Sequence, residues 1–135
     1  MSAALWPDLP RADPQEAAAY RADGWWGERS LGEVLTEHAV HRPDVAAYVT
    51  AEGRVTWAEV DRAATVVAEV LARLGLARGD RVAVMLPDTA VVHVAFHAAQ
   101  RAGLVVMGIG TRAGDAEVAH LVGRSGARAL LTVDA

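Results

Sequence analysis

Between Gly108 and Gly114 the chain reads GIGTRAG, with three glycines set between an apolar run and a segment of helical spacing. Glycines so placed let a backbone approach a pyrophosphate at a helix N-terminus. Asp134, twenty residues beyond Gly114, lies where an acidic residue would hold ribose hydroxyls. The spacing is Gly108-x-Gly110-x-x-x-Gly114, one residue longer than the dinucleotide fingerprint. A complete strand and helix also precede the loop, whereas the fingerprint follows the first strand of its unit. Asp115 would put a carboxylate where the phosphate belongs, and it reads as an N-cap. The glycines therefore shape a loop first. A NAD- or NADP-binding module remains an alternative.

Other residues that could do chemistry are sparse. His93 and His97 stand one helical turn apart, but Val94 occupies the place where a metalloprotease motif needs Glu, and no third ligand lies near. They read as polar positions on a mostly buried helix, as do His38 and His41 on an earlier one, and no metal site is expected. Trp25 and Trp26 could form a ligand platform, but they read first as the anchor of an N-terminal extension. The chain has no Lys, so Schiff-base chemistry and a phosphate-loop lysine are excluded within it, and no Cys, which excludes thiol nucleophiles and disulfides. A net charge of −4 with interspersed signs argues against nucleic acid and membrane surfaces. The N-terminus lacks the features of a signal peptide and the apolar runs are too short to span a bilayer, so the expected location is cytoplasmic.

The elements that must position these residues follow from periodicity. Pro7, Pro10 and Pro14 punctuate an irregular extension, residues 1–29, holding one short helix closed by Gly24. Residues 30–135 read as a partial α/β region. Ser30 can cap LGEVLTEHAVH, whose stripe is Leu31, Val34, Leu35, His38 and Ala39. VAAYVT and RVTW read as a small hairpin turned at EG. Thr56 and Glu59 form a capping box for a helix from Trp57 to about Leu74, and Gly75 supplies its left-handed end. RVAVML and LVVMGI then read as buried strands, and ARALLTV as a third. DTAVVHVAFHAAQRA, capped by Asp88 or Thr89, and DAEVAHLVGRS read as helices between them. Alternation of this kind predicts an α/β fold: a parallel sheet with right-handed β-α-β crossovers.

Three stretches carry a family resemblance: YRADGWWGERSLGEVLTEHAVHRPDVAAYV, RVTWAEVDRAATVVAEVLARLGLARGDRVAVMLPD and AFHAAQRAGLVVMGIGTRAGDAEVAHLVGRSGARALLT. In order and spacing they resemble the N-terminal region of the AMP-dependent, adenylate-forming acyl- and aryl-CoA synthetases. YRADGWW leans toward the branch with cyclohexanecarboxylate–CoA ligases and dihydroxybenzoate–AMP ligases. Two departures stand out. Asp88 replaces a frequent Asn, and GIGTRAG lacks a frequent proline.

The resemblance implies a parent enzyme that uses ATP, Mg2+ and CoA to activate a small carboxylic acid as its adenylate and pass it to a thiol. Gly110, Thr111 and Arg112 would then edge the CoA site. The family's phosphate loop, hinge and catalytic lysine lie further along, so this stretch is expected to be an inactive N-terminal fragment. A further alternative is a non-catalytic piece that completes a partner's sheet, or self-associates, through strands and helix faces left uncovered.

Overall fold

A computed structural model describes residues 13–133. The chain forms two compact units, with the boundary between Ser30 and Leu31. In the first, α1 (Pro14–Ala22) starts with a Pro at its first position, and the Asp13 carboxylate accepts from the Gln15 and Glu16 amides at 2.7 and 3.2 Å. Gly24, at φ 77°, ends the turn that follows.

The second unit runs α2 (Leu31–His41), β1 (Ala46–Thr50), β2 (Gly53–Thr56), α3 (Trp57–Arg73), β3 (Arg81–Met85), α4 (Ala90–Arg101), β4 (Val105–Gly108), α5 (Asp115–Ser125) and β5 (Ala129–Thr132). β1 and β2 form an antiparallel hairpin whose turn residues are Ala51 and Glu52. Gly53 already pairs with Thr50, so the turn lies one residue earlier than EG suggests. The capping box of α3 is present: the Thr56 amide donates to Glu59 at 2.8 Å and the Glu59 amide to the Thr56 hydroxyl at 3.3 Å. The first of these bonds also holds the Glu59 carboxyl below its ordinary pKa. Gly75 follows α3 at φ 82°. Leu74, expected on the apolar stripe, lies past the last helical turn and is 64% exposed, and Leu31 at the first turn of α2 is likewise exposed.

β3, β4 and β5 form a parallel sheet in the order β4-β3-β5. Side chains alternate across it. Val82, Val106, Ala129 and Leu131 meet Leu71 of α3 and Ala99 of α4 in one core cluster. A second cluster joins Leu35 of α2, Val60, Ala64 and Ala68 of α3, and Ala98 of α4. Small side chains along α3 and α4 let these two helices pack closely. The opposite face of the sheet, with Met85 and Leu130, borders Val118 and Val122 of α5. Helices leaving on opposite faces follow from the strand order, because the chain steps one way from β3 to β4 and back past β3 to β5. β3 is the buried strand; β4, expected to be buried too, is only half-buried because it is an edge.

Candidate functional site at the carboxyl ends of β3 and β4

After β4 the chain keeps one more ladder bond: the Ile109 amide donates to the Val84 carbonyl at 2.8 Å, and the Ile109 side chain is buried. The Ala113 amide then donates to the Gly110 carbonyl at 2.9 Å, which closes a turn with Thr111 and Arg112 at its tip. Both are exposed, and neither side chain has a hydrogen bond or ion pair among the described residues. The three glycines are not there for backbone strain. None of Gly108, Gly110 or Gly114 has a positive φ, and a Cβ added at any of them meets nothing within 4 Å. Gly103 differs: it sits at φ 71°, and a Cβ there would come within 3.1 Å of the Arg78 side chain. Nothing in the fold thus crowds the backbone at the loop glycines.

The connection after β3 leads to α4 on one face, and the connection after β4 leads to α5 on the other. Adjacent strands whose connections diverge in this way leave a crevice at their carboxyl ends, the usual place for a ligand in an open α/β sheet. Exposed amides, a hydroxyl and a guanidinium at 110–112 suit a phosphate there. Beside the turn runs an apolar groove of about 450 Å³, lined by Met85, Ala113, Asp115, Val118, Val122 and Leu130.

Asp115 does not cap α5. Gly114 is the N-cap, with no side-chain bond, because Asp115 already has helical geometry as the first residue of the helix. With Glu117 it makes the first turn of α5 acidic, which repels a pyrophosphate at the position that dinucleotide binding requires. Asp134 lies outside the described residues. Thr89, rather than Asp88, caps α4, accepting from the Val91 amide at 3.4 Å.

The other singled-out residues are engaged locally. The His38 ring lies 4.7 Å from that of Trp57, tilted by 45°, and accepts from the Arg42 guanidinium at 2.6 Å, while His41 Nδ1 bonds the Glu37 carbonyl at 2.9 Å. In the first unit Trp26 lies 5.3 Å from the Tyr20 ring, with the Arg21 guanidinium 5.6 Å from its centroid. Trp25 is 78% exposed. His93 and His97 meet a residue that no motif marks. Tyr48 stacks on His93 at 4.4 Å and 8°, and its hydroxyl lies 3.2 Å from His97 Nε2. Among the described residues no group of three or more His, Cys, Asp or Glu is placed to hold a metal, and no helix is long and apolar enough to cross a membrane.

The sequence profile of the AMP-binding enzymes matches residues 35–135, which takes in the hairpin, the sheet and the turn at 110–112. The chain belongs to the AMP-binding enzyme family. Among its relatives, the salicyl-AMP ligase / salicyl-S-ArCP synthetase of Mycobacterium tuberculosis is 39% identical over 125 residues, 87% of this chain and 22% of that protein. The long-chain-fatty-acid–CoA ligase FadD13 of the same species is 32% identical over 105 residues, 76% of this chain and 21% of that one. The Mycobacterium smegmatis MbtA apo structure superposes with a TM-score of 0.82 at 38% identity, covering 96% of this chain and 24% of that chain. The chain thus spans about a fifth of the length of these two ligases.

Proposed function

We propose that these residues form the N-terminal part of an adenylate-forming carboxylic acid ligase, with the 110–112 turn beside the nucleotide of CoA. What carries the reading is the family match across residues 35–135, joined to an exposed turn with unengaged donors at the carboxyl end of β4. The higher identity and longer match to the salicyl-AMP ligase favour an aryl acid over a long-chain one. ATP, with Mg2+ offsetting phosphate charge, supplies the activation: a carboxylate oxygen bonds the α-phosphorus as pyrophosphate leaves, and a thiol sulfur then bonds the acyl carbon as AMP leaves. This chain's share is positional. The Gly110 backbone permits close approach, the Thr111 hydroxyl donates a hydrogen bond, and Arg112 pairs with a phosphate.

Two measurements test this. The 135-residue chain by itself shows no ATP–pyrophosphate exchange with salicylate, benzoate or fatty acids, and measurable exchange overturns the division of labour. In an enzyme that contains this sequence together with the ATP-binding remainder, Arg112→Ala raises the KM for CoA about tenfold, the worth of one charge-assisted hydrogen bond, and leaves adenylation unchanged. An unchanged KM removes Arg112 from the site.

A second reading concerns assembly. No residue of α5 is buried, although Val118, Leu121 and Val122 form a stripe on it, and the outer edges of β4 and β5 are unpaired among the described residues. Such a surface favours association, either with the rest of a ligase or with a second copy. Sedimentation of the isolated chain then shows self-association that Val122→Glu abolishes. A monomer at all concentrations rules out self-association.

A further inference from the structure

We propose that Tyr48, His93 and His97 form an acid-released clasp that seats the β1–β2 hairpin on α4. The proposal stands independently of the ligase reading. The pairing of β1 with β2 shifts register between Ala46 and Tyr48, directly before the tyrosine, and irregularities of this kind re-aim a side chain. Tyr48 then lies flat on His93, with rings 4.4 Å apart at 8°, and its hydroxyl reaches His97 Nε2 at 3.2 Å. One side chain of the hairpin is thereby held by two histidines a helical turn apart on α4.

The clasp needs a neutral His97. Its Nδ1 is buried and has no hydrogen-bond partner among the described residues. With Nε2–H donating to the Tyr48 oxygen, Nδ1 is a bare nitrogen, and protonating it would bury an N–H without an acceptor. The charged groups around it make this worse. On α4 itself, His93 and Arg101 both oppose a further positive charge. From α3, Asp61 is taken up by Arg101 at 2.6 Å, and Thr65 by the same guanidinium. From α2, Thr36 also accepts from Arg101, and Leu35 shares a core cluster with Ala98. β1 brings only the Tyr48 hydroxyl, which burial keeps protonated to higher pH; β4 carries no titratable residue and β3 only Arg81. The Asp61 carboxylate is therefore already committed to Arg101.

Burial, with the charges of His93 and Arg101, holds the His97 pKa below the ordinary value for histidine. The unfolded or released state thus takes up a proton first as the pH falls. The stability contributed by the clasp is fully present above the unfolded value of about 6.5 and is lost as pH falls through the lowered folded value. Release also dismantles a cavity of about 330 Å³ between the hairpin and the start of α4, lined by Thr50, Arg54, Val55, Thr89 and Val91.

Hydrogen exchange on the 135-residue chain tests the clasp, with rates corrected for intrinsic chemistry. Amides of residues 46–56 open more at about pH 5.5 than at about pH 7.5, while those of α3 do not change. His97→Gln keeps a neutral hydrogen-bonding group and flattens this response. Equal protection at both pH values, or an unaltered acid response in His97→Gln, overturns the proposal. If that variant does not fold, NMR titration of the His97 ring in the unsubstituted chain decides. Half-protonation below that of free histidine supports the clasp, and a midpoint at or above it ends the idea.

Discussion

The two faces of the β4-β3-β5 sheet are built to different standards. On one, Val82 and Leu131 meet Leu71 and Ala99 in a core cluster that includes fully buried side chains. On the other, Met85 and Leu130 border a groove of about 450 Å³, and α5 buries no residue. Both faces are apolar, so composition does not separate them. The difference lies in what each helix has behind it. α4 is braced by α3 and α2, whereas among the described residues no other element braces α5. The core is thus one-sided: the second face keeps an apolar groove, and the exposed turn at 110–112 leads into the helix on that side.

The contrast is broken most directly by truncating one residue on each face. Leu71→Ala removes a fully buried side chain from the completed face and costs about 2–5 kcal/mol, the range for large-to-small core changes. Val122→Ala on α5 changes stability by less than about 1 kcal/mol, as for partly exposed positions. Urea unfolding of both variants measures the gap. Equal losses would mean that α5 is packed as tightly as α3 in solution.

A polar clamp on the braced side gives the next effect. Arg101 on α4 donates to Asp61 Oδ1 at 2.6 Å, to the Asp61 carbonyl at 3.0 Å and to the Thr36 hydroxyl at 2.9 Å, and it also bonds Thr65. The two charged side chains are only 22% and 26% exposed, so solvent screens them partially. Asp61→Ala leaves the guanidinium with hydroxyl and carbonyl partners but no charge partner, at a cost of about 1.5–3 kcal/mol by the same denaturation assay.

What is legible in the sequence follows the range of the interactions. The capping box of α3 spans three residues and is readable from Thr56 and Glu59 alone, as is the alternation that gives the parallel sheet. The cap of α5 falls one residue earlier than Asp115, because Gly114 and Asp115 both suit a helix start and only the backbone decides between them. Tyr48 is invisible to sequence reading: it meets His97 across 49 positions, and no local pattern announces such a pairing. The loop glycines read as turn formers, yet none adopts the left-handed geometry that would make glycine necessary. Nothing in the fold crowds them either, and single-sequence spacing carries no such information.

The smallest effect belongs to the solvent side of α3, and it calibrates the others. Glu69 and Arg73, one turn apart, pair at 3.1 Å, but their side chains are 60% and 72% exposed. At 3.1 Å and 2.6 Å respectively, this pair and that of Asp61 and Arg101 both lie within hydrogen-bonding distance. Water separates them: an exposed pair trades one set of hydrogen bonds for another and must restrain two long side chains. Glu69→Ala therefore costs about 0.3–0.5 kcal/mol, several-fold less than Asp61→Ala, and about 1 M salt should erase most of that cost while leaving the loss at Asp61 largely intact. If the two substitutions respond equally to salt, the Arg101 clamp is as wet as the surface pair, and the braced face is less closed than its geometry requires.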